Sequence, residues 1–172
     1  YMSAAYAGLN VHVLGSDAGV TAAFNGGTHM PLEDGAMYLS IPESTVFDPC
    51  DYDQLESIVR QLPSVKKGVT FTRFVRKDII KVYDDESTFE IGKGVVLHES
   101  ENDAATIITS GIMVDESLKA YEALKEAPLF CSLPTYSMSL LDHYWINPAK
   151  EYEFKNIVAC SNISFSLSDF IL

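Results

Sequence analysis

Leu9-Asn10-Val11-His12-Val13-Leu14-Gly15 is an apolar run of strand length closed by a glycine. Its branched side chains read as a β-strand buried on both faces, as strands of parallel sheets commonly are. Upstream, Ser3-Ala4-Ala5-Tyr6-Ala7 is small and helix-tolerant, as the end of a helix feeding that strand would be. Downstream, residues 16–30 are rich in Gly, Ala, Asn and Thr. A loop of this length between compact elements is commonly functional.

Helices and strands then alternate. Pro31, Glu33 and Asp34 suit a first helical turn, and a helix is expected over residues 32–40, stopped by Ile41-Pro42. Thr45-Val46-Phe47 is a second strand. Asp51 caps a helix whose inward residues are read as Leu55, Ile58, Val59 and Leu62, ended by Pro63 and Gly68. Residues 69–75 form a third strand. Strand, helix, strand, helix, strand implies an α/β fold: a mostly parallel sheet with crossover helices.

Residues 77–103 are charged, with Asp84-Asp85-Glu86 at the centre and a short strand near residues 94–98. They read as a connector, after which strand 104–109, a Ser110-Gly111 turn and helix 114–127 open a second α/β unit. Leu118, Tyr121 and Leu124 point inward on that helix, and Glu116, Lys119, Glu122 and Lys125 outward. After Ala127, Pro128, Pro134 and Pro148 break the periodicity and no strand-helix alternation is read.

The chain has 172 residues, is 47% apolar, and carries 12 basic against 24 acidic side chains, for a net charge of −12. That balance excludes nucleic acid and anionic membrane surfaces, both of which call for clustered Lys and Arg. No apolar run approaches the ~20 residues of a spanning helix. Cys50, Cys131 and Cys160 form neither a disulfide framework nor a metal spacing, so a reducing cytoplasmic setting is expected. The chain opens on Tyr1 rather than Met, which reads as processing or as a sequence beginning within a longer protein.

The loop after the first strand holds most of the candidate chemistry, because open α/β sheets place ligands at the carboxyl ends of their strands. His29, beside Gly26-Gly27, suits donation to a substrate oxygen or proton exchange; on local pattern alone it also reads as a hydrogen-bonded loop histidine. Arg73 and Arg76 end the third strand three residues apart, so at most one reaches a given site. Arg76, nearer the edge, suits bidentate capture of a phosphate, or a surface ion pair. His12 reads as a packed core or interface residue, His98 and His143 lack partners at metal spacing, and Asp51 and Asp53 read as capping residues.

Three stretches carry a resemblance: 15–21 (Gly-Ser-Asp-Ala-Gly-Val-Thr), 25–34 (Asn-Gly-Gly-Thr-His-Met-Pro-Leu-Glu-Asp), and Ile41-Pro42 through Asp48-Pro49-Cys50-Asp51. Together they resemble the thiamine-diphosphate pyrimidine-binding domain of transketolases, in particular the short C-terminal subunit of split transketolases. Arg73 to Lys77 and Phe89 to Gly94 continue the likeness, which runs to about Ala127. The resemblance implies a truncated thiamine-diphosphate-binding fold followed by an incomplete second domain. It divides the chain into a partial pyrimidine-binding domain (1–82), a connector (83–103), the start of the transketolase C-terminal domain (104–127) and a divergent tail (128–172) that reads as translated out of frame or joined from elsewhere.

The implied reaction is transfer of a two-carbon ketol unit between sugar phosphates. His29 aligns with a histidine that bonds donor-sugar hydroxyls, and Arg76 with an arginine that grips the substrate phosphate. Asn25 stands where many members carry Asp, and Ser16 where others carry His; an amide still bonds a hydroxyl, but Ser16 cannot replace an imidazole in proton transfer. The family glutamate and aromatics that hold the cofactor's pyrimidine lie upstream of a position like Tyr1. The cofactor's diphosphate and its divalent metal would then rest on an N-terminal, diphosphate-binding partner subunit, within an oligomer. The chain alone would be inactive. Two other readings share the domain pair: the beta subunit of a 2-oxoacid dehydrogenase's decarboxylating component, and a non-catalytic assembly subunit.

Overall fold

A computed structural model describes residues 2–65, 68–98, 105–125, 131–136 and 157–160. Strands β1 (Val11–Ser16), β2 (Thr45–Phe47) and β3 (Val69–Phe74) form a three-stranded sheet in the order β1-β3-β2. Both pairings are parallel, Val11 facing Val69 and Thr45 facing Thr70. Helices α1 (Asp34–Leu39) and α2 (Tyr52–Gln61) make the crossovers. The expected alternation is therefore present.

The expectation of a first strand buried on both faces is not met. β3 takes the centre and is buried through Arg73, whereas β1 alternates half-buried Val11 and Val13 with exposed His12 and Leu14. The apolar density of the run hid a period of two. His12 accordingly is no core residue: its exposed ring places Nδ1 2.8 Å from Thr70 Oγ1 on the neighbouring strand.

α1 starts at Asp34, two residues later than expected, because residues 27–33 are taken up by a 3₁₀ turn (Gly27–His29) and bends. On α2 the buried stripe is Gln54, Ile58 and Leu62, with Phe47 packed against the latter two. Val59, expected inward, is 43% exposed. Gln54 occupies an inward position because its Oε1 accepts the buried Cys50 N–H at 2.9 Å, a polar contact that apolar periodicity cannot signal. Burial pushes the Cys50 thiol upward, so it stays protonated and inert.

Gly68 opens β3 with φ +82°, and an added Cβ would stand 2.2 Å from the Glu43 carbonyl oxygen. Gly68→Ala is therefore expected to cost about 2 kcal/mol or more, from left-handed strain plus a displaced backbone. A thermal melt within about 1 °C of the parent would contradict this.

The second sheet, in the order β4-β6-β5-β7, contains β4 (Gly94–His98), β5 (Ala105–Thr109), β6 (Cys131–Tyr136) and β7 (Ile157–Cys160). β5 is parallel to β6 and β7, and β4 is antiparallel to β6. The expected short strand at 94–98 is thus an edge strand of this sheet. Nor is the charged segment before it featureless: Tyr83 is buried with Cys50 and Val114, and packs edge-on against Phe89 at 4.7 Å. β6 corrects the expectation that alternation fails after Ala127, since β5, helix α3 (Met113–Lys125) and β6 form one more parallel crossover. The short, proline-containing β6 sequence masked it. The origin assigned to the tail concerns residues that otherwise lie outside those described, as does His143. His98 stacks on Tyr121 at 4.2 Å.

Asp48 joins the two sheets. Its backbone oxygen accepts the Gly111 N–H at 2.9 Å and its Oδ2 accepts the Ser110 hydroxyl at 2.8 Å. Among the described residues, no helix is long and apolar enough to cross a membrane.

Candidate functional site

The carboxyl ends of β1 and β3 open onto one cleft of about 630 Å³, lined among others by Ser16, Asp17, Asn25, Thr28, His29 and Arg76. All four residues singled out from sequence, Ser16, Asn25, His29 and Arg76, thus face a single hollow. Its position at the ends of parallel strands follows from the topology.

The loop that builds the cleft is more regular than its composition suggests. Gly19–Asn25 and Gly27–His29 are 3₁₀ turns separated by Gly26 at φ +81°. The Gly19 N–H donates to the Pro31 carbonyl at 3.0 Å, and the Thr21 hydroxyl to the Ala18 carbonyl at 2.7 Å. These bonds close the loop on itself and bring His29 back beside the end of β1. There His29 is exposed, with Nδ1 2.8 Å from Thr28 Oγ1. A Thr28 hydroxyl donating to Nδ1 sets the tautomer that carries its proton on Nε2, leaving a donor for the cleft.

Arg73 and Arg76 divide as their spacing requires. Arg73 is 3% exposed, with Nη2 3.2 Å from Asp34 Oδ1 and Nη1 3.9 Å from Asp48 Oδ2. It ties the start of α1, just beyond His29, to β3 and to the inter-sheet contact. Arg76 lies past the end of β3, and its Nε is 2.5 Å from Asp17 Oδ2. The Arg76 guanidinium beside Asp17 holds that carboxyl below the usual carboxylate range, against a small desolvation effect.

Asp17, Thr28 and Arg73 went unassigned in the sequence reading. A signal existed for Asp17, since Asp at a strand end tolerates the left-handed φ of +63° found there. Asp51 behaves as expected and more: Oδ1 caps α2 by accepting Gln54 N–H at 2.9 Å, while Oδ2 accepts Val82 and Tyr83 N–H at 2.9 and 2.8 Å. Asp53 pairs instead with Lys81 at 3.3 Å.

Burial pushes the Asp48 carboxyl upward, against the pull of Arg73 and Ser110. An acid raised in the fold contributes most stability below its unfolded value of 3.8, and that contribution is lost as pH rises through the folded value. Asp48→Asn does not titrate, so its melting temperature is expected to gain on the parent's as pH rises from 4 towards neutrality. A difference independent of pH would contradict the assignment.

The cleft suits an anionic polyol. Hydroxyl, amide and imidazole groups converge on it, with a guanidinium at one end. Its described residues do not suit the pyrimidine of thiamine diphosphate: among them no Phe, Tyr or Trp ring lines the cleft, and the one carboxylate is committed to Arg76. No group of three His, Cys, Asp or Glu among the described residues is arranged to hold a metal ion.

Comparison with known proteins bears on this arrangement. Residues 1–80 match the family model described as transketolase, pyrimidine binding domain. The chain is 41% identical over 123 residues to the 6-deoxy-6-sulfo-D-fructose transketolase subunit SqwH of Clostridium sp. (strain MSTE9), covering 72% of this chain and 37% of that protein. It is 39% identical over 124 residues to the putative transketolase C-terminal section of Methanocaldococcus jannaschii, covering 71% and 38%. The chain thus spans less than two-fifths of either relative. Among solved structures, a split gene transketolase described as an inactive beta4 tetramer superposes with a TM-score of 0.67 at 28% identity, covering 77% of this chain and 41% of that one.

Proposed function

Because this chain belongs to the transketolase family, we propose that it forms part of a subunit that transfers a two-carbon ketol unit between sugars carrying a terminal phosphate. The observation that carries the reading is the convergence of His29 and Arg76 on one cleft at the strand ends. Thiamine diphosphate would supply the carbanion chemistry in the assembled enzyme. The cofactor's diphosphate, with any divalent metal, is assigned to an N-terminal, diphosphate-binding partner subunit. Names of the relatives, a subunit, a C-terminal section and a split-gene product, support a two-polypeptide enzyme.

Within the cleft each residue has a task. Arg76 pairs with the terminal anion through its Nη groups. His29 donates from Nε2 to a sugar oxygen whose charge grows as the carbon–carbon bond is made or broken. Asn25 and Ser16 bond sugar hydroxyls and help to set which sugar is accepted. A terminal sulfonate in place of phosphate is a second reading, favoured by the name of the 41%-identical relative; the same guanidinium would serve either anion. Mixing the full-length subunit with a diphosphate-binding transketolase subunit, thiamine diphosphate and magnesium, then supplying xylulose 5-phosphate and ribose 5-phosphate, tests the proposal. Cofactor-dependent two-carbon transfer is expected, and its absence with both phosphorylated and sulfonated sugars would overturn it.

A further inference from the structure

Asp17 stands at the point where β1 turns into the cleft, and three observations single it out. Its backbone has a left-handed φ of +63°, rare for a residue with a Cβ and commonest where a site requires it. Its side chain is only 13% exposed although it ends at an open cleft, whereas the arginine it contacts is 58% exposed. Its Oδ2 meets the Nε edge of Arg76 and also accepts the Ser16 hydroxyl at 3.3 Å.

Held at its Nε, Arg76 is fixed from the side away from its Nη groups. A long exposed arginine otherwise loses substantial rotamer freedom when it captures an anion. We propose that Asp17 is a positioning residue: it locks the Nε edge of Arg76 so that the terminal nitrogens face the cleft, ready for the end-on approach of a phosphorylated sugar. The strained backbone at residue 17 is what aims the carboxylate at Nε rather than into solvent. This rests on the reading of the cleft as a sugar-phosphate site.

The test uses the full-length subunit with its diphosphate-binding partner subunit and cofactor. The unphosphorylated donor hydroxypyruvate is held at saturation, and the acceptor is either ribose 5-phosphate or ribose. Asp17→Asn keeps the tolerance of left-handed φ but loses the charge. Asp17→Gly relieves the backbone and removes the side chain. In both, the KM for ribose 5-phosphate is expected to rise about fivefold or more with kcat within about twofold, while kinetics with ribose are unchanged. Unchanged or lowered KM, or equal effects on both acceptors, would overturn the positioning role. Arg76→Ala separates the layers: if it too leaves ribose 5-phosphate kinetics untouched, the reading of the cleft itself fails and the role of Asp17 with it.

Discussion

His29→Ala should lower turnover of the assembled enzyme by roughly a hundredfold or more, the scale of losing a positioned proton donor. The imidazole is exposed and, among the described residues, hydrogen-bonds the adjacent Thr28, so the fold draws little from it. The loss should therefore appear in kcat with the melting temperature unchanged. His29→Asn retains a donor N–H but not proton exchange, and should recover part of the rate. Turnover of the alanine variant near that of the parent would remove His29 from the site.

The second large effect is on stability. Asp51 is 2% exposed and its two oxygens accept three backbone N–H groups, one from the first turn of α2 and two from residues 82 and 83. Asp51→Ala removes a helix cap, worth about 1 kcal/mol, and leaves two further N–H groups without their partner at about 1–3 kcal/mol each. A loss of about 3–5 kcal/mol is a large share of the usual 5–15 kcal/mol of net stability. The melting temperature should fall by about 10 °C, and Asp51→Asn, which keeps acceptor oxygen at one position, should lose less. An alanine variant that melts with the parent would show that the 82–83 segment is held by other contacts.

Much of this molecule was legible because its signals are local. Three parallel strands and two crossover helices followed from short apolar runs, a capping aspartate and proline stops. Cleft residues were legible because parallel topology sends the loop after β1 and the end of β3 to the same edge. What escaped reading depends on contacts distant in sequence or on polar and proline positions that break the apolar period. β1 looked fully buried because nothing in its own residues says that β3 takes the centre. Gln54 displaced Val59 from the inner face of α2 through a bond to a backbone group outside the helix. Arg73 had no assigned role, since Asp34 and Asp48, which pair with it, lie 39 and 25 positions away in sequence. β6 was hidden because a proline within a short strand removes the usual pattern.

In the function proposed above, the cleft is one half of a shared site, completed by a second polypeptide that holds the cofactor's diphosphate. Calorimetric titration of thiamine diphosphate with magnesium, first into the chain alone and then into the chain mixed with a diphosphate-binding subunit, is the decisive test. No saturable heat is expected from the chain alone, and saturable binding from the mixture, tighter than that subunit shows by itself. Micromolar binding to the isolated chain, or a mixture that binds no more tightly than the added subunit, would contradict it.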